Sequence, residues 1–203
     1  MIVIIDYGIG NLGAIENMFR RIGARCVVSA HAGLIADATR IVLPGNGSFD
    51  PCIRGLRRTG LVPLLERRVH LDQVPLLGVC VGAQLLGRTS EEGCEPGLGW
   101  LDLETKRFPD STEFRVPHMG WNDVKAVGPA HPLTSALPVG PRFYFSHSYR
   151  MQAERQSEVI LSCYHGLEFA AAVARGNIVG VQFHPEKSHR FGRAMLKAFA
   201  GGN

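Results

Sequence analysis

Short all-apolar runs alternate with amphipathic stretches through the first half of the chain, and this alternation sets the fold. Ile2-Val3-Ile4-Ile5, Cys26-Val27-Val28, Ile41-Val42-Leu43 and Pro75 to Val79 lack the in-out alternation of a half-buried strand. They read as strands covered on both faces, as in a parallel sheet. After the first run, Ile15, Met18, Phe19 and Ile22 share one helical face while Glu16, Arg20 and Arg21 occupy the other. Gly23 stands where a helix C-cap needs a left-handed residue. Helical spacing returns over 49–58 and 61–71, and Ala83 to Leu86 favours helix after the fourth apolar run. Strand, helix, strand, helix predicts a doubly wound parallel sheet.

After Glu92 the texture changes. Residues 100–107, 121–125, 142–149, 159–164, 169–174 and 178–183 read as strands on short loops. Gly-Pro, His-Pro and Leu-Pro steps between 128 and 141 mark turns. A helix closes the chain, with Phe191, Met195, Ala198 and Phe199 on its apolar face and Ser188 as candidate N-cap. The expected class is α/β: a central, mostly parallel sheet flanked by helices, with additional antiparallel strands in the second half. Neither a repeat nor a linker divides the chain, so residues 1–203 are expected to form one domain.

Composition narrows the possibilities without naming a function. A chain of 203 residues, 45% hydrophobic and 20% charged, has enough apolar residues for a full core. No apolar run approaches the length of a membrane span. The net charge of +4 is mild, and the densest basic patch (Arg54, Arg57, Arg58, Arg67, Arg68) is interleaved with leucines rather than aromatics. That pattern is a solvated helix face, not a nucleic-acid groove. Cysteines at 26, 52, 80, 94 and 163 form no disulfide framework and no Cys-x-x-Cys metal pair. A reduced, cytoplasmic protein is expected.

The chemistry concentrates around Gly78-Val79-Cys80-Val81-Gly82. Glycine two before and two after a nucleophile is the spacing of the nucleophile elbow, here with cysteine in place of serine. A strand turning at once into a helix strains the central residue and leaves no room for side chains at the flanking positions. It also sets the sulfur at a helix N-terminus, where unpaired N–H groups favour negative charge. A buried, inert cysteine on a glycine-flanked turn is the alternative. A base is available in His184-Pro185-Glu186, where residues two apart in extended chain project to one side. There the histidine can take the thiol proton and the carboxylate can set its tautomer. His184 and Glu186 could instead hold a metal, but only His189 stands near enough to join them. Gly8-x-Gly10-x-x-Gly13 matches a dinucleotide-binding fingerprint, so a dinucleotide-binding protein is a reading of another class. That reading needs an acid at the end of the second strand, which here reads Val28-Ser29-Ala30-His31, and the next acid is Asp37.

Taken together, Pro44-Gly45-x-Gly47, Gly78-Val79-Cys80-Val81-Gly82-Ala83-Gln84 and His184-Pro185-Glu186 resemble the three signatures of the class I (triad) glutamine amidotransferases, in the family's order and across nearly the whole chain. Within that class, Asp6-Tyr7-Gly8-x-Gly10-Asn11, Pro117-His118-Met119-Gly120-Trp121-Asn122 and His184-Pro185-Glu186-Lys187-Ser188 resemble the glutaminase subunit of imidazole glycerol phosphate synthase, of histidine biosynthesis. The resemblance implies the class I amidotransferase fold and no cofactor or metal. It implies Cys80 as nucleophile, His184 as general base and acid, and Glu186 as the residue orienting it. Val81 N–H and a backbone N–H of Gly45-Asn46-Gly47 would form the oxyanion hole. Gln84, Glu92 and the backbone at Ser148 and Tyr149 would bind glutamine. Asn11, His118, Trp121, Asn122 and Lys187 would face a separate (βα)₈ cyclase subunit in a heterodimer, to which ammonia is channelled.

The match has departures. The family usually carries an apolar residue at Asn46, alanine at Ser48, methionine at Ala83 and a larger residue at Gly87. Asparagine tolerates positive φ, so an oxyanion loop that reaches its active orientation readily is expected. Looser packing is expected behind Cys80. Leu12-Gly13-Ala14-Ile15 with Asn17-Met18 is closer to paralogues in surface-polysaccharide clusters, which feed ammonia to a synthetase that amidates a nucleotide sugar.

Overall fold

The computed structural model describes residues 1–202. Its first half runs β1 (Ile2–Ile5), α1 (Leu12–Arg21), β2 (Cys26–Ser29), α2 (Ala32–Ala36), β3 (Arg40–Leu43), α3 (Phe49–Arg58), α4 (Val62–Glu66), β4 (Leu76–Val79) and α5 (Val81–Leu85). The second half runs β5 (Thr89–Ser90), β6 (Leu103–Arg107), β7 (His118–Ala126), α6 (Pro132–Ser135), β8 (Arg142–His147), β9 (Tyr149–Ala153), β10 (Val159–His165), β11 (Leu167–Arg175), β12 (Ile178–Val181) and α7 (His189–Phe199).

The expected architecture is present. Strands β2-β1-β3-β4-β12 pair in parallel, and β12 passes the sheet on to antiparallel β11, β10, β7 and β8. A side ribbon of β5, β6 and β9 joins through β9 to β11. All residues of β1, β4 and β12 are buried, as their uninterrupted apolar sequences require. Ile15, Met18 and Phe19 of α1 and Phe191, Met195, Leu196 and Phe199 of α7 supply the helical side of the core. Each such side chain contributes about 2 kcal/mol of hydrophobic stabilisation.

Parallel pairing has one consequence for function. The C-terminal ends of β1, β3, β4 and β12 all open at the same edge of the sheet. Four loops therefore meet there: 6–11, 44–48, the turn at Cys80, and 182–188. Open α/β sheets build their sites at that edge.

Several local expectations need correction. The helix read over 61–71 ends at Glu66 and continues as a wider π turn over Arg67–Leu71. The strand read over 142–149 breaks at Ser148, so that β8 pairs with β7 while β9 pairs with β6. Ser188 is not a side-chain cap: its hydroxyl donates to the His184 carbonyl at 2.6 Å and accepts from Tyr144 N–H at 3.0 Å, tying the 182–188 loop to β8. Packing behind Cys80 is not loose either. A Cβ on Gly180 would lie 3.1 Å from Ala83 Cβ, and one on Gly87 would collide with Leu103. Among the described residues no helix is long and apolar enough to cross a membrane.

Candidate active site

The turn at Cys80 has the geometry its glycines foretell. Cys80 follows β4 directly, adopts φ 54° and ψ −115°, and occupies the N-cap position of α5. A left-handed cysteine is costly, so tight surroundings must hold it there. They do. Cβ atoms on Gly78 would lie 2.8 Å from the Ala83 Cα and the Leu86 side chain, and one on Gly82 would fall on the Leu43 carbonyl. Cys80 N–H donates to Val181 O at 2.8 Å, fastening the turn to the neighbouring strand. The residue is 3% exposed.

The loop after β3 packs onto this turn. A Cβ on Gly45 would collide with the Gly82 amide nitrogen, so the two backbones are in direct contact. Gly47, at φ 95°, takes the left-handed conformation; Asn46 does not, so the tolerance of asparagine is not what shapes the loop here. The Tyr7 hydroxyl donates to Pro44 O at 2.6 Å, and burial pushes its pKa far up, so it stays a donor. A Cβ on Gly10 would press on Pro44 at 3.2 Å, whereas one on Gly13 would meet nothing. Gly8 and Gly10 are required by their positive φ, and Gly10 also packs on Pro44 in the 44–48 loop. The third glycine packs nothing closely, unlike its counterpart in a dinucleotide fold.

His184 leaves β12 on the same edge. Its N–H donates to Tyr144 O at 2.9 Å, and its Nδ1 pairs with Glu186 Oε1 at 2.8 Å, both side chains being almost wholly buried. Burial alone would lower the pKa of this ring. The neighbouring Cys80 sulfur and the hydrogen bond to Glu186 outweigh it and raise the pKa to about 9. Imidazole and carboxylate thus form a hydrogen-bonded pair that is coupled electrostatically to the Cys80 sulfur.

The pocket in front of Cys80 is lined by Asn46, Gly47, Val81, Gln84, Glu92, Ser148 and Tyr149, every one anticipated from sequence. Gly45 lies behind them as the contact with Gly82. Gln84 Nε2 donates to Tyr149 O and to Gln182 Oε1, both at 3.1 Å. Glu92 accepts from Phe49 N–H at 3.0 Å at the start of α3, and burial raises its carboxyl pKa. Two further lining residues, Ser146 and His147, escaped the sequence reading. His147 follows from strand register, which no short motif encodes.

Of the residues expected to face a partner, Trp121 is 41% exposed, Lys187 is exposed, and Asn11 and Asn122 are partly so. Trp121 lies parallel to the His189 ring at 5.4 Å, and Lys187 Nζ sits 5.5 Å from the Tyr144 ring. His118 is the correction. It is 3% exposed and stacks on His165 and Phe145, so it cannot touch a partner directly. The adjacent Met119, 66% exposed, presents that surface instead.

Residues 3–201 match the family model described as glutamine amidotransferase class-I. The chain belongs to the class I glutamine amidotransferases. Relatives sharpen the placement. The Pseudomonas aeruginosa protein named "Imidazole glycerol phosphate synthase subunit HisH 2" is 47% identical, with 98% of each chain covered. The Bdellovibrio bacteriovorus "Imidazole glycerol phosphate synthase subunit HisH" is 45% identical, covering 98% of this chain and 99% of that one. Within its class this amidotransferase is of the HisH family. Its fold recurs in a chain of the PurLQS structure from Thermotoga maritima, with TM-score 0.76, 18% identity, and 98% and 97% of the two chains covered. A solved structure described as glutamine amidotransferase has TM-score 0.73 at 19% identity, with 98% of both chains covered.

The raised His184 pKa makes the stability of this amidotransferase depend on pH. The folded ring binds its proton up to about pH 9, whereas an unfolded histidine releases it near 6.5. The contribution is full below about pH 6.5 and is lost as pH rises towards 9, amounting to up to about 3 kcal/mol. Urea melts at pH 6.5 and 9.5 should show wild type losing stability across this interval and His184→Gln losing distinctly less. Parallel losses in the two proteins would remove His184 as the source.

Proposed function

We propose that this protein is the glutaminase subunit of an imidazole glycerol phosphate synthase. On this reading Cys80 is the nucleophile, His184 its base and acid, and Glu186 the group that orients the imidazole. The observation that carries it is one pocket in which Cys80, Val81, Gln84, Glu92, Ser148 and Tyr149 meet, beside a His184–Glu186 pair hydrogen-bonded at 2.8 Å. Cys80, as thiolate, attacks the side-chain amide of glutamine. Val81 N–H and a donor from Gly45-Asn46-Gly47 hold the oxyanion, at roughly 3 kcal/mol per donor. His184 protonates the departing ammonia, then takes a proton from the water that hydrolyses the glutamyl thioester. Glutamate and ammonia are the products.

The ammonia passes to a (βα)₈ cyclase subunit docked over Trp121, Lys187, Asn11 and Asn122. The α1 helix packs against the Pro185–Lys187 turn, so Asn11 and Lys187 belong to one side of the molecule. Glutamate release should be measured for the protein alone, then with a histidine-pathway cyclase subunit carrying a ligand. Strong stimulation is expected, and Trp121→Ala should cut it roughly tenfold, as for loss of an aromatic anchor. Basal hydrolysis should be unchanged by that substitution. Activity indifferent to the cyclase would reject the histidine assignment and direct the search to a nucleotide-sugar amidating synthetase.

A further inference from the structure

Behind the pocket runs a chain of five side-chain and backbone groups that the triad does not use. Cross-strand pairing sets His118 of β7 opposite His147 of β8. His147 Nδ1 lies 2.8 Å from Tyr149 O, and its Nε2 lies 2.9 Å from His118 Nδ1. His118 Nε2 lies 3.1 Å from Asn122 Nδ2, which also donates to Tyr164 O at 2.9 Å.

The acceptors dictate where every proton sits. A carbonyl only accepts, so His147 Nδ1 carries a hydrogen and donates to Tyr149 O. In a neutral ring His147 Nε2 then accepts, and His118 Nδ1 donates to it. His118 Nε2 accepts in turn from the Asn122 amide. Burial, joined by the charges of His165 and neighbouring histidines, lowers the pKa of both rings to about 3, so both are neutral across the physiological range. Both rings are thereby held in the Nδ1–H tautomer. Phe108, Phe145 and Phe169 surround the pair and deny it other polar partners.

We propose that His147, with its tautomer set by His118 and Asn122, is a positioning residue for the glutamine-binding backbone. Its target carbonyl is shared. Tyr149 O accepts from Gln84 Nε2 as well as from His147, so two donors fix this peptide at the pocket wall. Ser148 O is held by Phe108 N–H at 3.1 Å, which pins the preceding peptide. Ser148 is where β8 hands over to β9, and the ladder is interrupted at this residue between His147, paired with β7, and Tyr149, paired with β6. The histidine chain supplies the stiffness that the broken strand lacks. His147 touches no reacting atom on this account and acts on substrate binding.

The inference rests on the glutaminase reading, and its test separates the two. Nitrogen-15 spectra of the imidazoles in the wild-type protein, from pH 5.5 to 8, should show His118 and His147 neutral and protonated on Nδ1. A ring in the commoner Nε2–H form, or one titrating within that range, would overturn the chain whatever the enzyme's rate. For turnover, His147→Phe keeps a planar ring in an aromatic setting but loses the donor. His147→Asn keeps a donor near the Nδ1 position. The KM for glutamine should rise roughly tenfold in H147F and by no more than about threefold in H147N, with kcat changed less than KM in both. His118→Phe, one step further from the pocket, should raise KM less than H147F, and thermal melts identify any variant that does not fold. Equal KM shifts in H147F and H147N would show that ring volume, not the hydrogen bond, is what matters. The wild-type rate and its loss in Cys80→Ala check the glutaminase reading independently.

Discussion

Replacing Cys80 with alanine is expected to lower glutamate release roughly 10⁴-fold or more, to the floor of the assay. The pocket has no second thiol, and neither of its serine hydroxyls is hydrogen-bonded to a histidine that could activate it. His184, paired with Glu186, acts through the sulfur, so without the thiol it has no nucleophile to serve. The double variant Cys80→Ala with His184→Gln should therefore be no slower than Cys80→Ala alone, because the two residues act as one unit. The substitution removes only the sulfur atom, so stability should change little apart from the pH-dependent part described above. Assays coupled to glutamate oxidation, with the protein alone and with a partner, measure both variants. Retention of more than about a hundredth of wild-type activity in Cys80→Ala would end the assignment of the nucleophile.

The parts of the site visible in the sequence are those fixed by neighbours along the chain. Gly78, Cys80 and Gly82 lie within one turn, and their steric roles follow from spacing alone. His184 and Glu186 share a face because Pro185 separates them by one residue, and their 2.8 Å contact needs no distant partner. The all-apolar runs at β1, β3 and β4 likewise announce burial on both faces. What stayed hidden depends on contacts between distant segments. The resemblance put His118 on the partner-facing surface with Trp121 and Asn122, but strand alternation turns it to the inner face, opposite His147. The break at Ser148 arises because β8 and β9 follow different partners, a choice made by β7 and β6 rather than by residues 142–149. Ser188 had the composition of a cap but found better partners in His184 O and Tyr144 N–H, which a helix-start rule does not consider. The Gly8-Gly10-Gly13 spacing failed for the same reason: Gly8 and Gly10 turn the chain, and Gly10 packs on Pro44, a segment more than thirty residues away.

The second large effect is expected from a substitution that removes no polar group. Gly45→Ala should lower kcat by about 10²- to 10³-fold, the loss typical of one oxyanion donor. It should also lower the melting temperature by roughly 5–10 °C. Neither Gly45 nor Gly82 has a positive φ, so backbone strain is not the issue; space is. A Cβ on Gly45 would strike the Gly82 nitrogen and lie 2.7 Å from Val81 C and 2.8 Å from Val81 Cβ. These are atoms of the turn itself, with no flexible side chain to swing aside. The loop and the turn must part by an ångström or so, a displacement large enough to spoil donor alignment. Overpacking of this kind costs about 1–3 kcal/mol, hence the drop in melting temperature. Gly47→Ala supplies the contrast, because its Cβ would meet nothing within 4 Å and its φ of 95° imposes strain alone. That variant should melt within about 4 °C of wild type, in line with a penalty near 1 kcal/mol. Were Gly45→Ala to melt early yet keep its kcat, the contact between the two backbones would be a matter of stability only. The oxyanion donors would then have to be sought outside the 44–48 loop.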